Sequence, residues 1–262
     1  MIISDKFKLN SKKVFVIGGS GLIGSEVCKL LSDFGAKVFN LDLKNKKTNK
    51  EKIIYLNFNI KKLESIEKKM KFFFKKHGCP DVFVNCSYPA SKDWKKASFS
   101  KVTQKTISEN VNLHLNSYIW AARVAAEEMK KRKIKGSIIQ FGSIYGVVGQ
   151  NLEIYKGTNM EENMIYASIK GGIVNNVRQM CSYYGKFGIR VNSISPGGVL
   201  GHIKGKKISQ DKIFISNYKK INPLKRLANA DEISPAVVFL ASDASSYITG
   251  VNLMIDGGWT AI

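Results

Sequence analysis

Apolar residues recur along this chain in two rhythms that lay out its elements. Short runs rich in β-branched and aromatic residues have strand length and composition: Lys13 to Ile17, Lys37 to Leu43, Ile53 to Phe58, Asp81 to Asn85, Ser137 to Phe141, Ile189 to Ile194 and Val251 to Ile255. Between them apolar residues return every three or four positions, as in Ile23, Val27, Leu30, Leu31 and Phe34. That is the stripe of a helix packed on one side. The same spacing predicts a lysine-rich helix ending near Gly78, and a long one from Thr103 to about Lys133 with Val111, Leu115, Tyr118 and Ala122 on one face. Further helices are predicted over Met164 to Lys186, Asp211 to Lys220, and Asp231 to Ala241 with Pro235 in its first turns, where proline is least costly. Strands alternating with helices imply an α/β fold: one doubly wound parallel sheet of about seven strands, helices on both faces, residues 1–262 as a single domain. No internal repeat or linker interrupts the pattern.

Ligands of such sheets collect at the carboxyl ends of the strands, where Gly18, Asp42, Asn85 and Ser143 all stand. The first strand runs into Gly18-Gly19-Ser20-Gly21-Leu22-Ile23-Gly24 and then a helix. In a strand-turn-helix context, glycines let the backbone approach a pyrophosphate, and the helix start offers free N–H groups and a positive dipole end. This is a Rossmann-type dinucleotide site, with Gly18, Ser20, Gly21, Leu22, Ile23 and Gly24 as its turn. Asp42 ends the second strand, where a carboxylate binds the ribose hydroxyls of NAD and repels the 2′-phosphate of NADP. NAD is therefore favoured, although Lys44, Lys46 and Lys47 could offset part of that carboxylate.

Tyr166 and Lys170 are one helical turn apart, so phenol and ammonium project together. A free tyrosine has a pKa of about 10, and proton exchange near neutrality needs a shift of roughly three units, or about 4 kcal/mol. A cation about 4 Å away supplies roughly that much at an effective dielectric near 20. The pair is a candidate acid-base catalyst.

Composition changes this picture little. Hydrophobic residues make up 44% and charged residues 24%, enough to bury a full core. The N-terminal residues contain no apolar run of signal-peptide length and no later run is long enough for a membrane span, so a cytoplasmic, membrane-free protein is expected. Cys28, Cys79, Cys86 and Cys181 show no C-x-x-C spacing, and His77, His114 and His202 form no ligand pattern. Reduced thiols and no metal are expected. The net charge of +22 is spread from Lys12 to Lys225, including the loop lysines Lys204, Lys206 and Lys207, without the aromatic-interleaved stripe of a nucleic-acid groove. It fits a solvated surface that steers an anionic small molecule, with no nucleic-acid partner.

From Lys12 onward these residues resemble the classical short-chain dehydrogenase/reductase family. The resemblance implies that Asn112 holds a relay water, Ser143 bonds the reacting oxygen, Tyr166 donates or accepts the proton, and Lys170 lowers its pKa and binds the nicotinamide ribose. It implies further that Asn59 and Ile60 meet adenine, and that Pro196, Gly197 and Val199 line the nicotinamide side. Three departures stand out: Leu22 replaces the usual middle glycine, Asn85-Cys86-Ser87-Tyr88 replaces Asn-Asn-Ala-Gly, and Asn151 to Asn163 lengthens the Ser143-to-Tyr166 interval. Asn85, Cys86 and Ser87 remain expected cofactor contacts, on altered packing.

The segments Ser143-Ile-Tyr-Gly-Val-Val, Glu153-Ile-Tyr-Lys-Gly-Thr-Asn-Met160 and Ser195-Pro-Gly-Gly resemble oxidoreductases of bacterial surface-sugar pathways, among them flagellin-modification proteins linked to legionaminic-type sugars. That implies a sugar-derived substrate, phosphorylated or nucleotide-linked, held by Ser143, Tyr145, Tyr155, Tyr166 and Gly198. The family likeness also implies a homodimer or homotetramer. Reduction of a 3-oxoacyl thioester and a non-catalytic NAD-binding module remain as alternatives. Asp42 weighs against the first, and intact Asn112, Ser143, Tyr166 and Lys170 against the second.

Overall fold

Alternation within the strands decides the architecture. In β1 (Lys13–Ile17), Val14 and Val16 face one way and Phe15 and Ile17 the other, and all four are buried, so the strand must be covered on both sides. The computed structural model describes residues 3–43, 53–201 and 210–262. Lys44, Lys46 and Lys47 beside Asp42, and Lys204, Lys206 and Lys207, lie outside them. The strands β2 (Lys37–Asp42), β3 (Ile53–Asn57), β4 (Val82–Asn85), β5 (Ser137–Phe141), β6 (Arg190–Pro196) and β7 (Asn252–Ile255) join β1 in one sheet, ordered β3-β2-β1-β4-β5-β6-β7. Every neighbouring pair is parallel. The strand order reverses between β1 and β4, which opens a crevice at their carboxyl ends.

On one face α1 (Leu22–Asp33) and α7 (Ser234–Ala241) cover a valine-rich layer that includes Val14, Val16, Val38, Val82 and Val84. On the other face α2 (Leu63–His77), α4 (Ser117–Lys131) and α5 (Met164–Tyr184) cover Phe15, Phe39, Phe83, Ile138 and Val191. Phe15 stacks on Phe39 at 4.4 Å and meets Phe74 edge-on at 5.1 Å. Each such fully buried ring contributes about 1.5–3 kcal/mol.

The single long helix expected between Thr103 and Lys133 is three segments. These are α3 (Gln104–Asn110), capped by the Thr103 hydroxyl, a π-helical stretch Val111–Asn116, and then α4. The expected Asp231–Ala241 helix starts as a 3-10 turn, Ala230–Glu232, and becomes α-helical at Ser234 with Pro235 in its first turn. The remaining helix, α6 (Lys212–Ile221), is capped by the Asp211 carboxylate. Among the described residues no helix is long and apolar enough to cross a membrane, and no group of histidine, cysteine and carboxylate side chains is placed to hold a metal ion.

Candidate active site

At the β1–α1 turn the chain backbone is packed against itself. Gly18 has φ +82°, and a Cβ there would lie 2.6 Å from Ser87 Cα; one on Gly24 would lie 2.1 Å from the Gly18 carbonyl. The N-cap of α1 is Gly21, without a side-chain cap, so the first N–H groups of this helix stay available to an anion. Asp42, ending β2, accepts from the backbone N–H of Ser20 at 3.0 Å and is thereby aimed at the same turn. The N–H of Phe58 bonds the Asp42 carbonyl at 2.9 Å, which fixes the chain to the end of β2 one residue before Asn59; the Asn59 carboxamide oxygen accepts from the Lys61 N–H at 3.0 Å, and Ile60 is buried in the core. A closely approached glycine turn, free helix amides and a carboxylate at the adjacent strand end fit a dinucleotide with unphosphorylated ribose.

The Gly24 contact sets a test. Gly24→Ala forces its methyl into the Gly18 carbonyl, so NADH affinity is expected to fall tenfold or more, with a stability loss of about 1–3 kcal/mol. Titration of NADH fluorescence and thermal melts check this; an unchanged NADH Kd would show that the turn is not the phosphate site.

The turn after β4 links this cradle to the chemistry. Asn85 is fully buried, and its Oδ1 accepts from the Ser87 N–H at 3.2 Å and the Ser87 hydroxyl at 2.7 Å. The Cys86 thiol donates to the Ile17 carbonyl at 3.3 Å, and burial pushes it up to about 12. The Ser87 carbonyl accepts from the Tyr118 hydroxyl at 2.5 Å, and the Lys170 ammonium lies 5.3 Å from the Tyr118 ring centroid. Leu22, in the place of the middle glycine, lies against Gly201.

Ser143 follows β5 and is buried; its hydroxyl accepts from the Tyr145 N–H at 3.2 Å and is hydrogen-bonded to the Tyr166 phenol. Tyr166 and Lys170 lie one turn apart on α5, as their spacing predicts. Lys170 is 3% exposed, donates to the Phe141 carbonyl at 2.8 Å, and sits 5.7 Å from the Tyr166 ring centroid. The expected electrostatics are reversed. Burial raises the Tyr166 pKa, opposed by the Ser143 hydrogen bond, and lowers Lys170 to about 7. Desolvation disfavours the charged form of both groups, and the ammonium points at a backbone carbonyl; both protonation states of Lys170 are populated at neutrality.

Aromatic rings wall the Tyr166 phenol. Tyr88 lies 5.9 Å away, Trp94 6.0 Å and Tyr145 6.3 Å, and the Trp94 indole donates to the Tyr88 hydroxyl. The Tyr145 and Tyr155 phenols are hydrogen-bonded to each other. Tyr155 belongs to the insertion, whose Leu152–Tyr155 is a 3-10 turn, and its ring stacks on Phe214 of α6 at 6.2 Å. Asn217 of α6 donates to the Lys156 carbonyl at 2.9 Å. At the far end of the insertion, the Asn163 carboxamide oxygen accepts from the N–H groups of Ile165 and Tyr166, and its amide donates to the Trp94 carbonyl at 3.2 Å. One side chain thus caps the helix carrying Tyr166 and fastens the loop carrying Trp94.

Two sequence-predicted residues do not join the cluster. Asn112 is exposed and accepts from Asn116 at 3.1 Å; the side chain turned inward at that level is His114, fully buried and 5.3 Å from both Tyr88 and Tyr118. Residues two apart on a helix point to nearly opposite sides, so both cannot face Lys170. The backbone groups of Gly198 are turned to the fold: its N–H donates to the Tyr218 hydroxyl at 2.6 Å and its carbonyl accepts from the Ala228 N–H at 2.9 Å. Pro196 ends β6 beside β7, the Gly197 N–H that follows bonds the Ile255 carbonyl at 2.9 Å, and Val199 bridges to Ala228. Sequence reasoning passed over His114, Trp94 and Asn163. His114 carried a signal, since it falls three after Val111 and four before Tyr118 on the apolar stripe.

Comparison with known proteins points to one family. Residues 20–260 fit a family model described as enoyl-(acyl carrier protein) reductase. The chain is 33% identical to the post-translational flagellin modification protein A of Campylobacter coli, over 96% of this chain and 99% of that one. It is 28% identical to the L-rhamnose-1-dehydrogenase of Scheffersomyces stipitis, over 95% and 96%. A short-chain dehydrogenase from Leptospira borgpetersenii serovar Hardjo-bovis, solved with bound NAD+, superposes with a TM-score of 0.85 at 31% identity, covering 99% of this chain and 96% of that one.

Proposed function

Because the chain belongs to the short-chain dehydrogenase/reductase family, we propose that it transfers a hydride between NAD(H) and a secondary alcohol or ketone of a sugar-derived substrate, in the biosynthesis of a surface carbohydrate. One observation carries the chemistry: the Ser143-bonded Tyr166 phenol, with Lys170 one turn on, at the same edge of the sheet as the glycine turn and Asp42. When bound, the nicotinamide supplies the hydride acceptor or donor. In this reading Asp42 favours NAD over NADP, Ser143 orients the reacting oxygen, and Tyr166 exchanges its proton.

The sugar assignment draws on the wall. Rings of Tyr88, Trp94, Tyr145 and Tyr155 give flat apolar faces, and the three tyrosine hydroxyls offer both donors and acceptors, which suits a ring with C–H faces and equatorial hydroxyls. The flagellin-modification and rhamnose-dehydrogenase relatives lend support by their names. The reading includes a cytoplasmic homodimer or homotetramer.

The test is a panel of sugar phosphates, nucleotide sugars and free sugars with NAD+, followed as NADH formation, and of 3-oxo sugars and acetoacetyl thioesters with NADH or NADPH. Turnover of at least one sugar derivative, with NADH bound more tightly than NADPH, is expected. Turnover of acetoacetyl thioester alone with NADPH preferred would overturn the substrate reading.

A further inference from the structure

Asn40 is out of keeping with the layer that holds it. Period two puts Val38, Asn40 and Asp42 on one face of β2, and that face belongs to the valine layer under α1, with Val16 of β1 beside Asn40 in the register. Asn40 is 5% exposed, and its Oδ1 finds no hydrogen-bond partner among the described residues. A valine at that position would continue the layer, whereas a buried carboxamide with one unpaired end is a cost to the fold.

The other end of the carboxamide is engaged. Its Nδ2 donates to the hydroxyl of the buried Ser20 at 3.0 Å, while the Ser20 N–H donates to Asp42 Oδ2 at 3.0 Å. Two side chains on one face of β2, two residues apart, thus hold a single serine by its hydroxyl and by its backbone. The neighbouring glycine makes room for this grip: a Cβ on Gly19 would lie 2.5 Å from Asn40 Oδ1 and 2.7 Å from Cys28 Sγ. Ser20 stands between Asp42, placed for the ribose, and Gly21, the N-cap of the helix whose first amides suit the pyrophosphate.

We propose that Asn40 is a positioning residue for cofactor binding, which fixes Ser20 so that its hydroxyl meets NAD(H) where the adenosine ribose joins the pyrophosphate. The proposal rests on the reading of the glycine turn as the dinucleotide site. Asn40 lies beneath the turn and acts through one hydrogen bond. A serine side chain has three staggered wells, and the amide selects one of them before the cofactor arrives, so that binding does not have to order it.

The experiment measures the Kd of NADH by fluorescence titration, and of ADP by displacement of NADH, with thermal melts alongside. The variants are Asn40→Val, Asn40→Ala, Ser20→Ala, and the double variant Asn40→Val with Ser20→Ala. Valine adds volume at the site and alanine removes it, but both delete the same amide. Both are expected to weaken NADH by about threefold to tenfold, the worth of one hydrogen bond, whatever their melting temperatures. ADP carries the ribose and pyrophosphate without the nicotinamide, and it is expected to weaken by the same factor. Ser20→Ala is expected to match them, and the double variant to lose no more than Ser20→Ala alone, within twofold. Losses that multiply in the double variant would mean that Asn40 acts on the turn at large, and would overturn the proposal. So would an NADH Kd unchanged in both Asn40 variants, one that follows their melting temperatures, or a loss for NADH that ADP does not share. Gly24→Ala separates this role from the reading beneath it. If Gly24→Ala weakens NADH and the Asn40 variants do not, the positioning role alone falls; an unchanged Kd in all of them would remove the dinucleotide turn itself.

Discussion

Exchanging Tyr166 for phenylalanine is expected to lower turnover by a factor of about 100 or more while leaving the fold and NADH affinity in place. The loss is that of the proton-transfer group, which general acid-base catalysis values at about 10²–10⁴ in rate, or roughly 3–5 kcal/mol of barrier. The ring itself stays. Its contacts with Tyr88, Trp94 and Tyr145 are face and edge contacts of carbon, at 5.9 to 6.3 Å between centroids, and phenylalanine keeps them. Only the hydroxyl bonded to Ser143 goes. Steady-state kinetics on an active panel compound, with NADH fluorescence titration as the control, measure both halves. If turnover of Tyr166→Phe stayed within tenfold of the wild type, proton transfer would have to be assigned to another group.

Lys170→Met is expected to raise stability at acid and neutral pH and to abolish most activity. Lys170 is 3% exposed, and among the described residues no carboxylate pairs with it; its Nζ donates to one carbonyl, that of Phe141. Its pKa falls from 10.5 to about 7 through burial. At about 1.4 kcal/mol per unit, that gap corresponds to roughly 5 kcal/mol. For a cation with a lowered folded pKa, the sign is a cost to the fold. The cost is fully present below pH 7, is relieved as pH rises toward 10.5, and is gone above it. Methionine has a similar length and no charge, though it leaves the Phe141 carbonyl without its partner, which returns about 1–3 kcal/mol of the gain. The melting temperature of the variant should therefore exceed that of the wild type by about 5 °C or more at pH 6. It should match or fall below it at pH 10.5. A difference independent of pH would mean that the buried charge is not its origin.

The strands and the Gly18–Gly24 turn were legible because period-two runs and a glycine cluster are local signals, and they lie where the spacing puts them. The π-helical stretch was not. Its residues continue the same apolar stripe as the α-helices on either side, and a widened turn leaves no mark in hydrophobic spacing. Asn112 came from the family resemblance, while the inward face at that level belongs to His114. The reversed electrostatics of Tyr166 and Lys170 escaped for a different reason: spacing fixes that two side chains project together, while the sign of a pKa shift depends on how much water the tertiary fold removes. The cap at Asn163 carried a readable sign, an asparagine directly before a helical stripe, but not its second bond to the Trp94 carbonyl, which joins residues 69 apart in the chain.

That second bond has an evolutionary consequence. The segment between Gln150 and Asn163 touches α6 at one end and sets the first turn of the proton-carrying helix at the other. A mutation that reshapes it to admit a different substrate also shifts the start of the helix that carries the phenol. Selectivity and rate are in this way mechanically geared, and a lineage drifting to a new substrate must repair its chemistry in the same few residues.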